Sequence, residues 1–429
     1  MGTIIVQKYG GTSVATVEKI QGVARKAIEA KQDGFDVVVV VSAMGHSTDE
    51  LTDTVCEIDP DPDRREYDRV LATGEVVSSS LLAMAIQKEG VDAIALTGGQ
   101  CGIRTNDAHG NARIVEIRPQ RVLDELATGR IVVAAGFQGD TAMGEVTTIG
   151  RGGSDTTAVA LAAALDAEYC DIYTDVSGVY STDPRVVESA LPLERVHYQD
   201  VEAMGWHGMR VLKAECVELA RDTGIALRVL STFGDGRATQ VDGTNESLCW
   251  RPGRSPVAGV VQRRDLVGVQ VVLEGDPREL DLFDAIAVYD LGLGRIEAPT
   301  RASTLYLSTE EIPDVPAFCA ALDRRFGDRV DTTPDLGSVA LVGFGLGSRP
   351  RALFEALRLL RGHGIDVVDT FTSREALIFV LPVERVDEGT RVLHEGFVAG
   401  GLGRMPGATE ASGGFTHLTS LSESDDTGA

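Results

Sequence analysis

Three short stretches of this 429-residue chain combine glycine, hydroxyl and charge at spacings that suit phosphate and carboxylate chemistry. The first is Lys8-Tyr9-Gly10-Gly11-Thr12-Ser13, placed directly after a strand-like apolar run. Adjacent glycines let backbone N–H groups approach a phosphate, a following helix start adds partial positive charge, and Lys8 is placed to neutralise a transferring phosphoryl group. Two glycines after a strand also make a plain tight turn, so this loop alone decides nothing. The second stretch is Gly150-Arg151-Gly152-Gly153-Ser154-Asp155-Thr156-Thr157. Arg151 can grip a carboxylate with its bidentate fork, and Ser154 with nearby backbone N–H groups can hold another oxygen. Asp155 reads equally well as an acid favoured at a helix start. The third runs from Thr174-Asp175 through Tyr180 to Asp183-Pro184-Arg185. A nucleotide needs a wall for its base, acceptors for its ribose and a cation for its phosphates, and Tyr180, Asp175 and Arg185 are chemically suited; an Asp-rich surface turn is the plainer reading.

Something must hold these loops together, and the pattern around them says what. Apolar blocks at 4–6, 36–42, 92–96, 131–136, 169–174 and 226–230 are short and rich in β-branched residues, and the stretches between them have helical spacing. Val17, Ile20, Ala24, Ala27 and Ile28 make one stripe before Gly34. Such alternation predicts a parallel-rich sheet between helices, with ligands at the carboxyl ends of the strands. Residues 242–256 turn to Gly, Asn, Ser and Pro and read as a linker. Beyond it two β-α-β-β-α runs follow. Strands at 266–273, 294–297 and 303–307 with helices at 277–289 and 314–326 form the first; strands at 338–342, 366–370 and 376–381 with helices at 350–362 and 386–395 form the second. Residues from 409 onward have the composition of a disordered tail.

A formal charge of −25 excludes a nucleic-acid partner, because phosphate backbones are repelled by an acidic surface. No apolar run approaches the ~20 residues that cross a bilayer, so no membrane partner is expected. Six cysteines without any C-x-x-C pairing read as reduced and buried. The chain starts without a basic segment and apolar core, so its default place is the cytoplasm.

In combination the motifs resemble the aspartokinase family, most like the actinobacterial type with a duplicated ACT region. The likeness rests on residues 8–14, Ser42-Ala43-Met44-Gly45, Thr73-Gly74-Glu75, Gly136-Phe137-Gln138-Gly139, the Arg151 loop and the stretch from Tyr173 to Arg185. It implies an α/β amino-acid-kinase fold over residues 1–243, then two α+β, ferredoxin-like ACT domains at 257–332 (diverged) and 337–405, with a tail at 406–429. It also implies ATP, with Mg²⁺ bound through it, L-aspartate as substrate, and a homodimer formed through the ACT domains. Carried over motif by motif, Lys8 with the Gly10 and Gly11 turn would stabilise the phosphoryl group, and Asp155 would orient Lys8. Arg151 and Ser154 would take the α-carboxylate of aspartate, and Glu75 and Thr48 its α-ammonium, with Ser42 and Phe137 also in the substrate site. Thr174, Asp175, Tyr180, Arg185 and Arg210 would hold ATP. No metal ligand is assigned to the protein. An amino-acid kinase for a modified aspartate, and a catalytically weak regulatory paralogue, are the competing readings.

Two departures from the family pattern matter. Arg210, in Gly208-Met209-Arg210-Val211-Leu212, replaces a phosphate-directed lysine. In the first ACT unit, Gly275-Asp276-Pro277-Arg278 and Gly294-Arg295-Ile296-Glu297 stand where the family has an Asp-x-Pro-Gly turn and an Asn-containing strand. Weak inhibition by lysine or threonine is therefore expected.

Overall fold

The computed structural model describes residues 2–150, 152–234, 236–244, 257–272, 302–312 and 314–399. The chain opens with β1 (Ile4–Tyr9), α1 (Val17–Gln32), β2 (Asp36–Val41), α2 (Ser47–Ile58), α3 (Arg64–Leu71), α4 (Thr73–Lys88) and β3 (Ala93–Leu96). Next come β4 (Ile103–Thr105), β5 (Ile114–Ile117), α5 (Gln120–Ala127), β6 (Ile131–Ala135), β7 (Gln138–Asp140), β8 (Val146–Thr148), α6 (Gly153–Ala164) and β9 (Cys170–Thr174). The first region closes with β10 (Arg195–His197), α7 (Tyr198–Trp206), α8 (Ala214–Thr223), β11 (Leu227–Ser231) and β12 (Ala238–Asp242).

The main sheet runs β10-β12-β11-β9-β1-β2-β6-β3. Every neighbouring pair in it is parallel except β11 with β12. The six apolar blocks of the sequence are its six contiguous strands from β11 to β3. Their largely apolar character follows from burial on both faces. Val37, Val39 and Val41 of β2 pack with Ile20, Val23, Ala24 and Ala27 of α1 and Leu82 and Ile86 of α4, whereas Val38 and Val40 pack with Val159 and Leu161 of α6. Thr16 caps α1 by accepting from Lys19 N, and Gly34, at φ 97°, lets the chain turn away after it.

Helices α3 and α4 follow each other closely, and the stretch Arg64–Lys88 is long enough and contains an 18-residue window apolar enough to cross a membrane by length and composition alone. Half of that apolar stretch is buried inside the protein, on the sheet. A second, four-stranded sheet, β5-β4-β7-β8, stands beside the first and was not foreseen; its strands are three or four residues long and three of them carry a charged residue. Of the cysteines, Cys101, Cys170 and Cys216 are buried, but Cys56 is exposed, because α2 has no fully buried residue.

The C-terminal region contains β13 (Gly259–Val272), β14 (Ala302–Ser308), α9 (Val315–Phe326), β15 (Val330–Val342), α10 (Pro350–Gly362), β16 (Asp369–Thr372), β17 (Ala376–Pro382) and α11 (Val386–His394). Residues 245–256 of the linker expected at 242–256, the helix expected at 277–289, the strand at 294–297 and the tail from 406 lie outside the described residues. The two units share one antiparallel sheet, β14-β13-β15-β17-β16. Residues 259–263 of β13 pair with 338–342 of β15, and after a register shift residues 266–272 pair with β14. Two cores result: Val267, Leu305 and Phe318 in one, Val260, Leu341 and Phe379 in the other. The outer halves of β13 and β15 escaped notice because Arg263-Arg264-Asp265 and Asp331-Thr332-Thr333-Pro334-Asp335 interrupt their apolar runs.

Candidate active site

Register brings the loops together. Lys8, next to last in β1, is level with Val40 of β2 and Ile172 of β9, and Val41 is level with Ala135 of β6. The loops after β1, β2, β6 and β9 thus leave the same edge of the sheet, the carboxyl edge where parallel α/β sheets hold ligands. Helix α6 starts at that edge, and Lys8 Nζ lies 2.5 Å from Asp155 Oδ1 in its first turn, with only 11% and 13% of the two side chains exposed. The acid holds the ammonium at one point of the edge.

The double glycine has a steric reason. A Cβ at Gly11 would lie 2.8 Å from Ala43 O, and Gly11 O accepts from Gly45 N at 3.1 Å, so the loops after β1 and β2 are locked together. A Cβ at Gly10 would stand in van der Waals contact with the ammonium, 3.6 Å from Lys8 Nζ and 3.9 Å from Tyr173 O. Ala43 links this corner to α4, because Ala43 N donates to Glu75 Oε1 at 2.9 Å. Glu75 is 3% exposed, and its Oε2 has no hydrogen-bond partner among the described residues. Burial raises its carboxyl from the ordinary 4.5 to about 7, opposed by the hydrogen bond from Ala43. Ser42 N donates to Tyr9 O, Ser78 Oγ donates to Ser42 O at 2.8 Å, and half-buried Thr48 lies in the first turn of α2.

Phe137 and Ser154 flank the start of α6. Phe137 has φ 67°, a conformation an aromatic residue rarely takes, and it is held by a 3.1 Å bond from its N–H to Thr157 Oγ1. Ser154 is buried, and a Cβ at Gly136 would come within 2.9 Å of its Cβ and Oγ. Gly150 and Gly152 both have positive φ, which shapes the turn into α6; Arg151 between them lies outside the described residues.

The nucleotide candidates are arranged differently. Thr174 Oγ1 donates to Asp175 Oδ1 at 3.0 Å, and Thr174 O accepts from Thr232 N at 2.9 Å. Tyr180 is half-buried and bridges to Pro192. Arg185 is 83% exposed and turns its fork onto Asp183, whose carboxyl its hydrogen bonds hold below the ordinary value. Arg210 is 77% exposed, with Nη2 2.7 Å from Glu310 of the C-terminal region.

Two further residues stand at the site. Thr232 Oγ1 lies 2.6 Å from Ser13 Oγ, tying the glycine loop to the end of β11. The stem of Lys213 lies against Gly152, where a Cβ would meet Lys213 Cγ at 2.5 Å; Lys213 has no ion-pair partner among the described residues. The signal for Lys213 was a second cation in the same loop as Arg210, and for Thr232 it was Ser231-Thr232 standing where the family pattern has a Ser-Ser pair.

The amino acid kinase family matches residues 3–231. An aspartokinase of Geobacillus stearothermophilus is 40% identical over 404 residues, covering 92% of this chain and 97% of its own. One of Mycolicibacterium smegmatis is 38% identical over 409 residues, covering 93% and 97%. The chain belongs to the aspartokinase family. In architecture it is similar to the E. coli aspartokinase III solved with aspartate and ADP in the R-state, with a TM-score of 0.76 at 23% identity over 91% of this chain and 99% of that one. Aspartokinase III with lysine and aspartate in the T-state gives a TM-score of 0.74 at 24% identity, over 92% and 99%. The fold is thus shared with those structures, and the family is one of phosphotransferases acting on a carboxyl group.

Proposed function

We propose that this aspartokinase transfers the γ-phosphoryl group of Mg·ATP to the β-carboxylate of L-aspartate. A carboxylate oxygen attacks the γ-phosphorus, the bond to the β–γ bridging oxygen breaks, and β-aspartyl phosphate and ADP leave. The carboxylate is already ionised at neutral pH, so no general base is needed. The protein's task is positioning and charge neutralisation. Lys8, held by Asp155, stabilises the phosphoryl group in flight, with Gly10 leaving the space it needs. Glu75 takes the α-ammonium with help from Thr48, Arg151 and Ser154 take the α-carboxylate, and Ser42 and Phe137 shape the pocket. Thr174, Asp175, Tyr180, Arg185 and Arg210 hold ATP, and Mg²⁺ enters with it.

One observation carries the amino-acid side: a buried carboxylate oxygen, Glu75 Oε2, that lacks a partner. An unpaired buried anion is costly, and a substrate ammonium satisfies it. The test is ADP release across a panel of amino acids, with hydroxylamine trapping of the acyl phosphate. L-Aspartate gives the largest kcat/KM; a larger value for any other amino acid, or for a modified aspartate, overturns the substrate assignment.

In this reading residues 1–243 catalyse, and the ACT units regulate and form a homodimer, in a chain of the actinobacterial type. The turn at 275–278 and the segment at 294–297 lie outside the described residues, and the reading of a diverged effector unit rests on their sequence. An arginine where the turn has glycine adds a side chain where backbone N–H groups would close on a ligand carboxylate. Lysine and threonine at millimolar concentration, singly or together, leave the initial rate at subsaturating aspartate nearly unchanged. Submillimolar half-inhibition by either refutes this.

A further inference from the structure

Inside the loop that carries Asp175, Tyr180 and Arg185, Ser181 is 1% exposed. It exchanges backbone bonds with two partners: its N donates to Leu191 O at 2.8 Å, and its O accepts from Val260 N of β13 at 2.7 Å. Its hydroxyl oxygen accepts from Leu191 N at 2.9 Å and lies 2.9 Å from His394 Nε2, the last residue of α11. His394 is 213 residues away in sequence, equally buried at 1%, and its Nδ1 has no partner among the described residues.

The rest of the contact shows that the loop is seated on the C-terminal sheet. A Cβ at Gly259 of β13 would lie 2.9 Å from Ser181 O, so glycine there permits the approach. Arg391, one turn before His394, donates to Val186 O at 3.4 Å. Packing of the final helix against β13 thus presents His394 to the residue after Tyr180. A buried imidazole with a single bond adds little to a core that apolar residues could fill, since its other nitrogen is left unsatisfied. What it does add is a directional bond at one point of the loop.

We propose that His394 is a positioning residue for the nucleotide: through Ser181 it fixes the loop that presents Asp175, Tyr180 and Arg185 to ATP. This rests on the assignment of that loop to ATP. It makes α11 part of the apparatus that sets nucleotide affinity, and it gives the C-terminal region a hold, through Ser181, on the nucleotide side of the site.

The experiment compares Tyr180→Ala, Ser181→Ala, His394→Leu, His394→Gln and the double variant Ser181→Ala/His394→Leu in full-length protein, with KM for ATP and for aspartate, kcat and the thermal midpoint measured for each. Ser181→Ala and His394→Leu each raise KM for ATP about three- to tenfold, the size expected when one buried partner is lost, and leave kcat and KM for aspartate within about twofold. The double variant is no worse than the more affected single, because the residues act through one bond. His394→Gln, which can place an amide near Nε2, restores most of the affinity. If Tyr180→Ala raises KM for ATP while Ser181→Ala leaves it unchanged, or if both KM values move together with the thermal midpoint, the proposal falls and the loop assignment stands. If Tyr180→Ala leaves KM for ATP unchanged, the loop assignment fails and takes the proposal with it. Should His394→Leu not fold, Ser181→Ala and His394→Gln decide alone.

Discussion

The amino-acid side and the nucleotide side of this site are built on different principles. On the first, Lys8, Asp155, Glu75 and Ser154 are nearly buried and fixed by strand register and a helix start inside one domain. On the second, Arg185 and Arg210 are exposed and paired with Asp183 and Glu310, and the loop around Tyr180 is seated on β13 and α11. In the proposed assignment the first side is preorganised for one small zwitterion. The second takes part of its geometry from the C-terminal region, and on that assignment a rearrangement there is expected to reach ATP before it reaches aspartate. Any effector acts through differential binding to such arrangements, and the contacts say which substrate it will affect.

The largest effect expected is from Lys8→Ala. Charge on the transferring group peaks in the transition state, so kcat falls roughly 10²–10³-fold while the Kd for ATP changes little. Loss confined to nucleotide affinity would move Lys8 from the preorganised side to the other. Glu75→Gln comes next. Removing a charged partner from a buried ammonium raises KM for aspartate roughly 10- to 100-fold with KM for ATP near its parent value. The pH dependence has a definite sign. Burial holds the free Glu75 carboxyl at about 7, and only its ionised form attracts the ammonium, so kcat/KM for aspartate climbs as pH rises through about 7. In the empty enzyme the raised value acts in the opposite sense on stability: its contribution is full below the ordinary 4.5 and is lost as pH rises through about 7. Both dependences flatten in Glu75→Gln; a pH profile identical to the parent's would remove Glu75 from the pocket.

The same division governs what the sequence made visible. The six central strands were legible because burial on both faces demands unbroken β-branched runs such as Val37 to Val41. Gly10, Gly11 and the turn into α6 were legible only in combination, because two glycines after a strand also make a plain turn and it was their company with Lys8, Arg151 and Ser154 that set them apart. Glu75 carried no signal of its own: it is one glutamate in a helix, and only family resemblance singled it out. The backbone strain at Phe137, the contact of Lys213 with Gly152, and the meeting of Ser181 with His394 depend on register and on pairing across long separations, which a local pattern does not encode. The shared strands β13 and β15 were hidden for a related reason, since half of each carries charge on the way from one core to the other.

The smallest effect tests the outer edge of the nucleotide side. Arg210 has the charge to meet a phosphate, yet in the free protein its guanidinium rests on Glu310. Such an exposed pair is weak, so ATP can take Arg210 from Glu310 at little cost, and the cost that remains appears in KM. Glu310→Gln therefore lowers KM for ATP by less than about threefold with kcat unchanged, whereas Arg210→Ala raises KM for ATP and abolishes the effect of Glu310→Gln when the two are combined. Salt separates this from a change in folding. Screening weakens an exposed pair, so the advantage of Glu310→Gln shrinks as ionic strength rises from low values to about 0.5 M. An advantage that persists at high salt, or one that survives in the Arg210→Ala background, would show that Glu310 acts on the nucleotide by another route than its pair with Arg210.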